Sequence, residues 1–490
     1  MKINKISIYS LLSILVLQLY GCEDILEPRV YSETAPNNLF NSVQGLESVL
    51  FGAYAKSAEM PGSNVPTHNM LAEENMGDFI FSNNAGVVNF KNFIINPGVL
   101  GGGHMDELWL LPYEAIRNTN IILENIDDAA ISASAKELIR SEAMFIRAIS
   151  YLRLYNRFGP VPLRTNSLQE LEMARASEAE LLTFIETELS ASVPGLPDPG
   201  EESAYGRAHK GAALGYLVKF YLQTKEWQKV ADRAQDIIDL NAYGLFPDYF
   251  SLFFVANERN EELIWVRTAK ADLNRTAANT FMNIAYPPSF QSHPRTGLEF
   301  PPGARIFSGG LYIYDDAYDS FDPADKRKDL IIGEYINTSG ELIDLTDNPN
   351  GRRVFKYWPD SDIAGPAYGN DIPVIRYADV LLSRAEALNE LNGPNQESVD
   401  LVNEVRDRAG VSWIDLANFP TKEALRDHIL QERAWEFYLE GHRRLDLIRH
   451  GKLIERAQDR GLPAEDFHVR FPIPTFAMDA NQNLEQNPGY

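Results

Sequence analysis

The stretch KGAALGYLVKFYLQTKEWQKVADRAQDIIDLN, residues 210–241, decides the fold. Leu214, Leu217 and Tyr221 recur at helical spacing on its first segment, and Trp227, Ala231, Ala234, Ile237 and Ile238 on its second. A short Gln223-Thr224-Lys225-Glu226 turn joins them. Small alanines at the crossing let two antiparallel helices approach closely.

The theme recurs at 376–391 and 396–409, where Ala378, Ala385 and Ala387 are the small residues. Both pairs read as degenerate tetratricopeptide-like hairpins, in a helical-repeat half rather than a long open solenoid. Residues 43–57, 106–126 and 135–156 also carry apolar residues at helical spacing. In the last of these Leu138, Phe145, Ile149 and Leu152 form one stripe, and Phe158-Gly159-Pro160 stops it. Between the pairs, residues 274–358 are rich in Pro, Gly, Tyr and Phe and lack a clean period. A loop region this long is functional or an insertion. Residues 63–103 are a second irregular stretch, and short runs such as 311–314 are expected to pair locally. The expected class is mainly α: tetratricopeptide-like hairpins, a long irregular loop-rich insertion and little β.

The composition, 44% hydrophobic and 23% charged over 490 residues, can build a large core. A formal charge of -24 argues against nucleic acid and phosphate-rich partners. Cys22 is the only cysteine. Lys2 and Lys5 precede an apolar run from residue 6 to 19, too short and too interrupted to cross a bilayer, which reads as a signal peptide over residues 1–21. Leu19-Tyr20-Gly21-Cys22 resembles a bacterial lipobox, which implies acylation of Cys22 and a stable lipid anchor in a membrane. With that thiol acylated the protein has no disulfide, no thiolate nucleophile and no cysteine metal site. Glu23, Asp24 and Glu27 resemble a surface-export signal; a solvated acidic linker is the competing reading.

Five segments together resemble the SusD/RagB family of outer-membrane nutrient-binding lipoproteins: EAMFIRA at 142–148 continued by 151–163, RYADVLL at 376–382 with RAEA at 384–387, VNEVRDRAG at 402–410, the span from Glu432-Arg433 to EGHRRLDL at 440–447, and PIP at 472–474 with the tail QNPGY at 486–490. The resemblance implies a SusD-like fold with an N-terminal helical region over 22–260 and a C-terminal region over 261–490. It also implies capture of an oligosaccharide or polysaccharide and its delivery to a TonB-dependent SusC-like transporter. A peptide or other nutrient in the same architecture, a protein-interaction scaffold and a surface hydrolase remain the alternatives.

Catalytic motifs are missing: there is no His-Glu-x-x-His, no Gly-x-Ser-x-Gly and no P-loop. With 69 acidic residues, adjacent pairs such as Glu73-Glu74 and Asp315-Asp316 are expected by chance. Asp344, Asp347 and Asn350 lack EF-hand spacing and read as a loop, and His442 has no second histidine at metal-ligand spacing. No enzyme activity, cofactor or metal is expected. Arg376, Asp379, Arg384 and Glu386 read as i,i+3 and i,i+4 pairs worth about 0.2–0.5 kcal/mol each. Arg433, Glu436, Glu440, Arg443, Arg444 and Asp446 read as a partly buried ionic network, with an anion-binding patch as the alternative. A sugar site needs aromatic platforms beside short hydrogen-bonding side chains. The irregular stretches supply Phe81, Asn83 and Asn84, then Tyr286, Phe290, Gln291 and Arg295. Trp358 is a further candidate, although Lys356-Tyr357-Trp358 also reads as a buried strand. For each of these residues local loop packing is the competing reading.

Overall fold

A computed structural model describes residues 39–58, 68–99, 106–168, 172–272, 278–358 and 363–490. Cys22 and the segment before it lie outside the described residues.

The helical half is built from α1 (Val43–Ser57), α2 (Glu107–Asn125), α3 (Ala133–Phe158), α4 (Glu178–Ser192), α5 (Lys210–Thr224) and α6 (Trp227–Asp239), and resumes with α7 (Tyr377–Asn392), α8 (Gln396–Ala409), α9 (Lys422–Phe437), α10 (Arg443–Arg449) and α11 (Leu453–Asp459). Side chains fix where several of these start. Ser42 caps α1, Ser132 caps α3, and Ser177 and Glu180 form a reciprocal capping box on α4. Gly159, at φ 71°, ends α3 where the Phe-Gly-Pro signal places the stop. Phe145, Ile149 and Leu152 are buried along α3, whereas Leu138 is only half-buried and Ile139 takes its place in the core.

Each helix packs on the next, α1 on α2 and so on to α6. The series then skips the insertion, because α6 packs directly on α7, and α7 on α8 and α9. Arg384 on α7 donates to the carbonyl of Ala231 on α6 at 2.6 Å, an approach that the small side chain permits. Gly215 allows a second close approach, since a Cβ there would lie 2.9 Å from Ile375.

The insertion is not irregular. It holds six of the nine strands found among the described residues. All pairings are antiparallel and form three small sheets. β1 (Ile80–Ser82), β4 (Leu311–Ile313), β8 (Arg353–Val354) and β5 (Ile331–Ile332) make one sheet in that order. β2 (Leu263–Arg267) pairs with β9 (Ile372–Arg376), and β3 (Phe290–Ser292), β6 (Glu334–Asn337) and β7 (Leu342–Asp344) make the third. Strands of two to five residues are too short for a period of two to show. Lys356, Tyr357 and Trp358 are buried as expected but are not a strand.

The charged residues of α7 do not pair along their own helix. Arg376, fully buried at its N-terminus, donates to Glu436 at 2.9 Å, to both carboxylate oxygens of Glu440 at 2.8 Å and to Glu262. Arg327, Arg408 and Lys356 complete a buried network around Glu432, Glu436 and Glu440. Asp379 pairs with Lys219 and Arg433, and Glu386 with Arg449. In the low dielectric of the interior such pairs hold only with several hydrogen bonds per charge, which these have. Arg433 and Asp446 pair with each other, but Arg443 reaches out to Asp78 and Arg444 bonds only backbone carbonyls, those of Asn156 and Val469. Burial, with Lys219 beside it, depresses His442 to about 3 and keeps it neutral.

Candidate functional site

Backbone alternation sorts the residues of the four-stranded sheet. Ile80, Leu311 and Ile313 point into the main core, so Phe81 and Tyr312 point out from the other face. Registered opposite each other, their rings stack at 5.0 Å with a 16° interplanar angle. Tyr314, on the same side of the chain, brings its ring to 4.5 Å from Phe81. A cation closes each end of the stack: Lys91 lies 4.6 Å from the Phe81 ring centre, and Arg353 lies 4.0 Å from that of Tyr312. Phe81 is buried under these neighbours, which corrects its expected role as a platform, yet it takes no part in the main core cluster and backs the more open Tyr312 ring. Tyr312 and Tyr314 are half-buried, and their hydroxyls are neither enclosed nor bonded to a described residue.

The rim comes from two turns. Asn83 receives the ammonium of Lys91 on its side-chain oxygen at 2.6 Å, and its own N–H donates to the Gly309 carbonyl at 2.9 Å. Asn84 caps the following turn, its side-chain oxygen accepting from Gly86 N–H. Gly309, at φ 110°, lies so close that a Cβ would fall 2.6 Å from the Asn84 backbone. The loop before it exposes Arg305, Ile306 and Phe307, and its Ser308 carbonyl accepts from the Asn84 side chain at 3.5 Å. The result is a half-open face with aromatic edges, hydroxyl and amide groups and two cations, the complement of a hydroxylated ring with apolar C–H patches. Burial lowers the Lys91 ammonium and the Arg353 guanidinium from their ordinary values, and no carboxylate restores either.

The second group of expected residues does not join this face. Tyr286, Phe290 and Trp358 are buried in the main core. Tyr286 packs at 5.3 Å from Phe290 and from Phe355, Phe355 at 4.9 Å from Trp358, and Phe290 stacks on Tyr335 at 5.7 Å. Rings enclosed on all sides by other rings cannot serve as sugar platforms, which corrects the expectation for these three. Gln291 is exposed on the short edge strand β3, and Arg295 is ion-paired with Asp329. The residues missed were Tyr312, Tyr314, Phe307, Lys91 and Arg353. The alternation Leu311-Tyr312-Ile313-Tyr314 was the available signal for the two tyrosines. A separate exposed ring, Trp413, follows α8 on the helical half, with its indole N–H on Asp407.

Acidic pairs elsewhere have structural partners. Glu73 holds Arg157 at 2.7 Å, Glu74 accepts from Gly441 N–H at 2.5 Å, and Asp315 binds Arg352 at 2.7 Å. Asp344 accepts from Thr346, and Asn350 from Asp315 N–H.

Two family models match this sequence, one described as SusD family over residues 332–490 and one described as starch-binding associating with outer membrane over residues 24–222. SusD-like protein P25 of Formosa agariphila is 27% identical over 100% of both chains. The starch-binding protein SusD of Bacteroides thetaiotaomicron is 25% identical over 72% of both. Among solved structures, a laminarin binding SusD-like protein superposes with a TM-score of 0.78 at 25% identity, over 91% of this chain and 99% of its own. With family matches over both its N-terminal and C-terminal parts, a relative along its whole length and the fold of a solved SusD-like protein over 91% of it, the chain belongs to the SusD-like family.

Proposed function

We infer that this protein captures a glycan at the cell surface on the outer face of the β1-β4-β8-β5 sheet, without chemically changing it. The observation that carries the reading is the Phe81–Tyr312 stack with free tyrosine hydroxyls and the Asn83–Phe307 rim, at the end of the sheet's outer face where neither Phe81 nor Tyr312 joins the main core. Relatives named for binding starch and laminarin support it. The protein is anchored in the outer membrane through acylated Cys22 and passes its glycan to a TonB-dependent SusC-like transporter, for which Asn83, Asn84 and Tyr312 hold the ligand by hydrogen bonds. Affinity electrophoresis of the purified protein against a panel of polysaccharides tests capture. One series should retard the protein, Tyr312→Ala should abolish the retardation, and chromatography should find no shortened products. Turnover, or retardation indifferent to Tyr312 and Asn83, would overturn the reading. Mild detergent extraction from the native host tests delivery, and should bring down a large outer-membrane β-barrel.

A further inference from the structure

Arg353 is a buried guanidinium without an anion. It is 8% exposed, its Nε and Nη1 are enclosed with no acceptor, and no carboxylate pairs with it. Its Nη2 is neither enclosed nor bonded to a described residue. In this chain that is unusual: of the other buried arginines among the described residues, those at 147, 157, 207, 327, 376, 406, 408, 433, 443 and 449 hold carboxylates, and Arg444 has two backbone carbonyls in their place, whereas Arg353 has neither. Lys91, at the other end of the same aromatic row, has only the neutral Asn83 as hydrogen-bond partner. Arg305, exposed on the adjoining loop, is in no ion pair among the described residues. Two acidic groups, Asp316 and Asp78, act on the Tyr314 end of the row, where Asp78 is held by Arg443 and Arg456. A cation over an aromatic ring is partly compensated, but ring electrons do not replace an anionic acceptor for a desolvated guanidinium. The unpaired cations therefore sit at both ends of the face assigned to the glycan.

We propose that this face selects an acidic glycan, one bearing carboxylate or sulfate groups, with Arg353 and Lys91 receiving anionic groups on either side of the Phe81–Tyr312 stack. This rests on the glycan-capture reading and adds the charge of the ligand to it. The overall charge of -24 does not oppose it at close range, because at physiological ionic strength charges beyond about 8 Å are largely screened. Charge-assisted hydrogen bonds at the two ends would dominate discrimination, with the rings supplying the shared, charge-independent part.

Calorimetry with three oligosaccharides of matched length tests it: an oligogalacturonate for carboxylate, a carrageenan oligomer for sulfate and a laminarin oligomer as the neutral control. One acidic series should bind at least about tenfold more tightly than the neutral one, and should weaken severalfold between about 50 and about 500 mM NaCl. Lys91→Gln, at a half-exposed position, should cost about tenfold for the acidic series and little for the neutral one. Arg353→Gln should do the same if it folds, which its melting temperature reports; Lys91→Gln keeps the test decisive if it does not. Which acidic series binds tells carboxylate from sulfate. Equal or tighter neutral binding that Tyr312→Ala abolishes would overturn the charge assignment and leave glycan capture standing. Acidic binding indifferent to both substitutions would also overturn it. Failure of all three series to bind, while a neutral polysaccharide of the panel retards the protein, would overturn the charge assignment and leave glycan capture standing.

Discussion

Asp78→Asn should destabilise the protein by about 2.5 kcal/mol at neutral pH, and the loss should fade in acid. Asp78 is buried between β1 and the C-terminal helices, and Arg443 grips it with two bonds, at 2.5 Å and 2.9 Å, while Arg456 adds a third at 2.8 Å. Burial alone would raise its carboxyl; the guanidiniums of Arg443, Arg456 and Arg460 outweigh burial and hold it at about 2. An aspartate in the unfolded chain titrates near 3.9, so the gap is about two pH units, at roughly 1.36 kcal/mol each. The folded value is the lower one. The stabilisation is therefore complete above about pH 4 and disappears as pH falls towards about 2. Urea denaturation of both proteins, stepped from neutral pH down to about pH 2.5, measures the difference directly. The midpoints should be well separated at neutral pH and converge below about pH 4. Equal midpoints at neutral pH, or a separation that persists unchanged in acid, would refute the reasoning.

Tyr312→Ala should lose roughly 1–3 kcal/mol of glycan affinity while Tm stays near that of the parent, because the ring is half-buried outside the core; a large fall in Tm would make the ring structural instead. Phe290→Ala should behave in the opposite way, destabilising the fold by about 3–5 kcal/mol in denaturant titrations while the folded fraction binds glycan normally. Glu436→Gln strips Arg376, Arg408 and Arg327 of a shared anion and should cost at least about 3–5 kcal/mol, read as a lowered Tm; an unchanged Tm would mean the network adds nothing. Cys22→Ala should move the protein from the membrane fraction to the soluble one and abolish fatty-acid labelling, and unchanged partitioning would exclude the anchor.

The helical hairpins were legible because a helix of fifteen residues repeats its apolar face several times, and their ends differ from the structure by no more than two residues. The sheets were not, since a strand of two or three residues contains barely one period. The same brevity hid the site. Phe81 and Phe290 are both phenylalanines in Pro- and Gly-rich surroundings, and only the direction in which a three-residue strand turns its middle or end residue separates an outward ring from a core one. The pairing of Arg376 was hidden for another reason. Its partners Glu262 and Glu440 stand 114 and 64 positions away, while the sequence displays only the neighbours three and four residues off.

Chain order gives the buried charge network a timing. Arg327, Lys356, Arg376 and Arg408 all leave the ribosome before Glu432, Glu436 and Glu440, the carboxylates that neutralise most of them. Until α9 has emerged, enclosing those cations would leave Lys356 with no counter-ion and Arg327, Arg376 and Arg408 with only Asp325 and Glu262 between them, a shortfall that favours keeping them in water. The core around this network thus has a reason to close only once the last helices are present. A protein that must be threaded through a membrane channel before it folds would gain from such a delay.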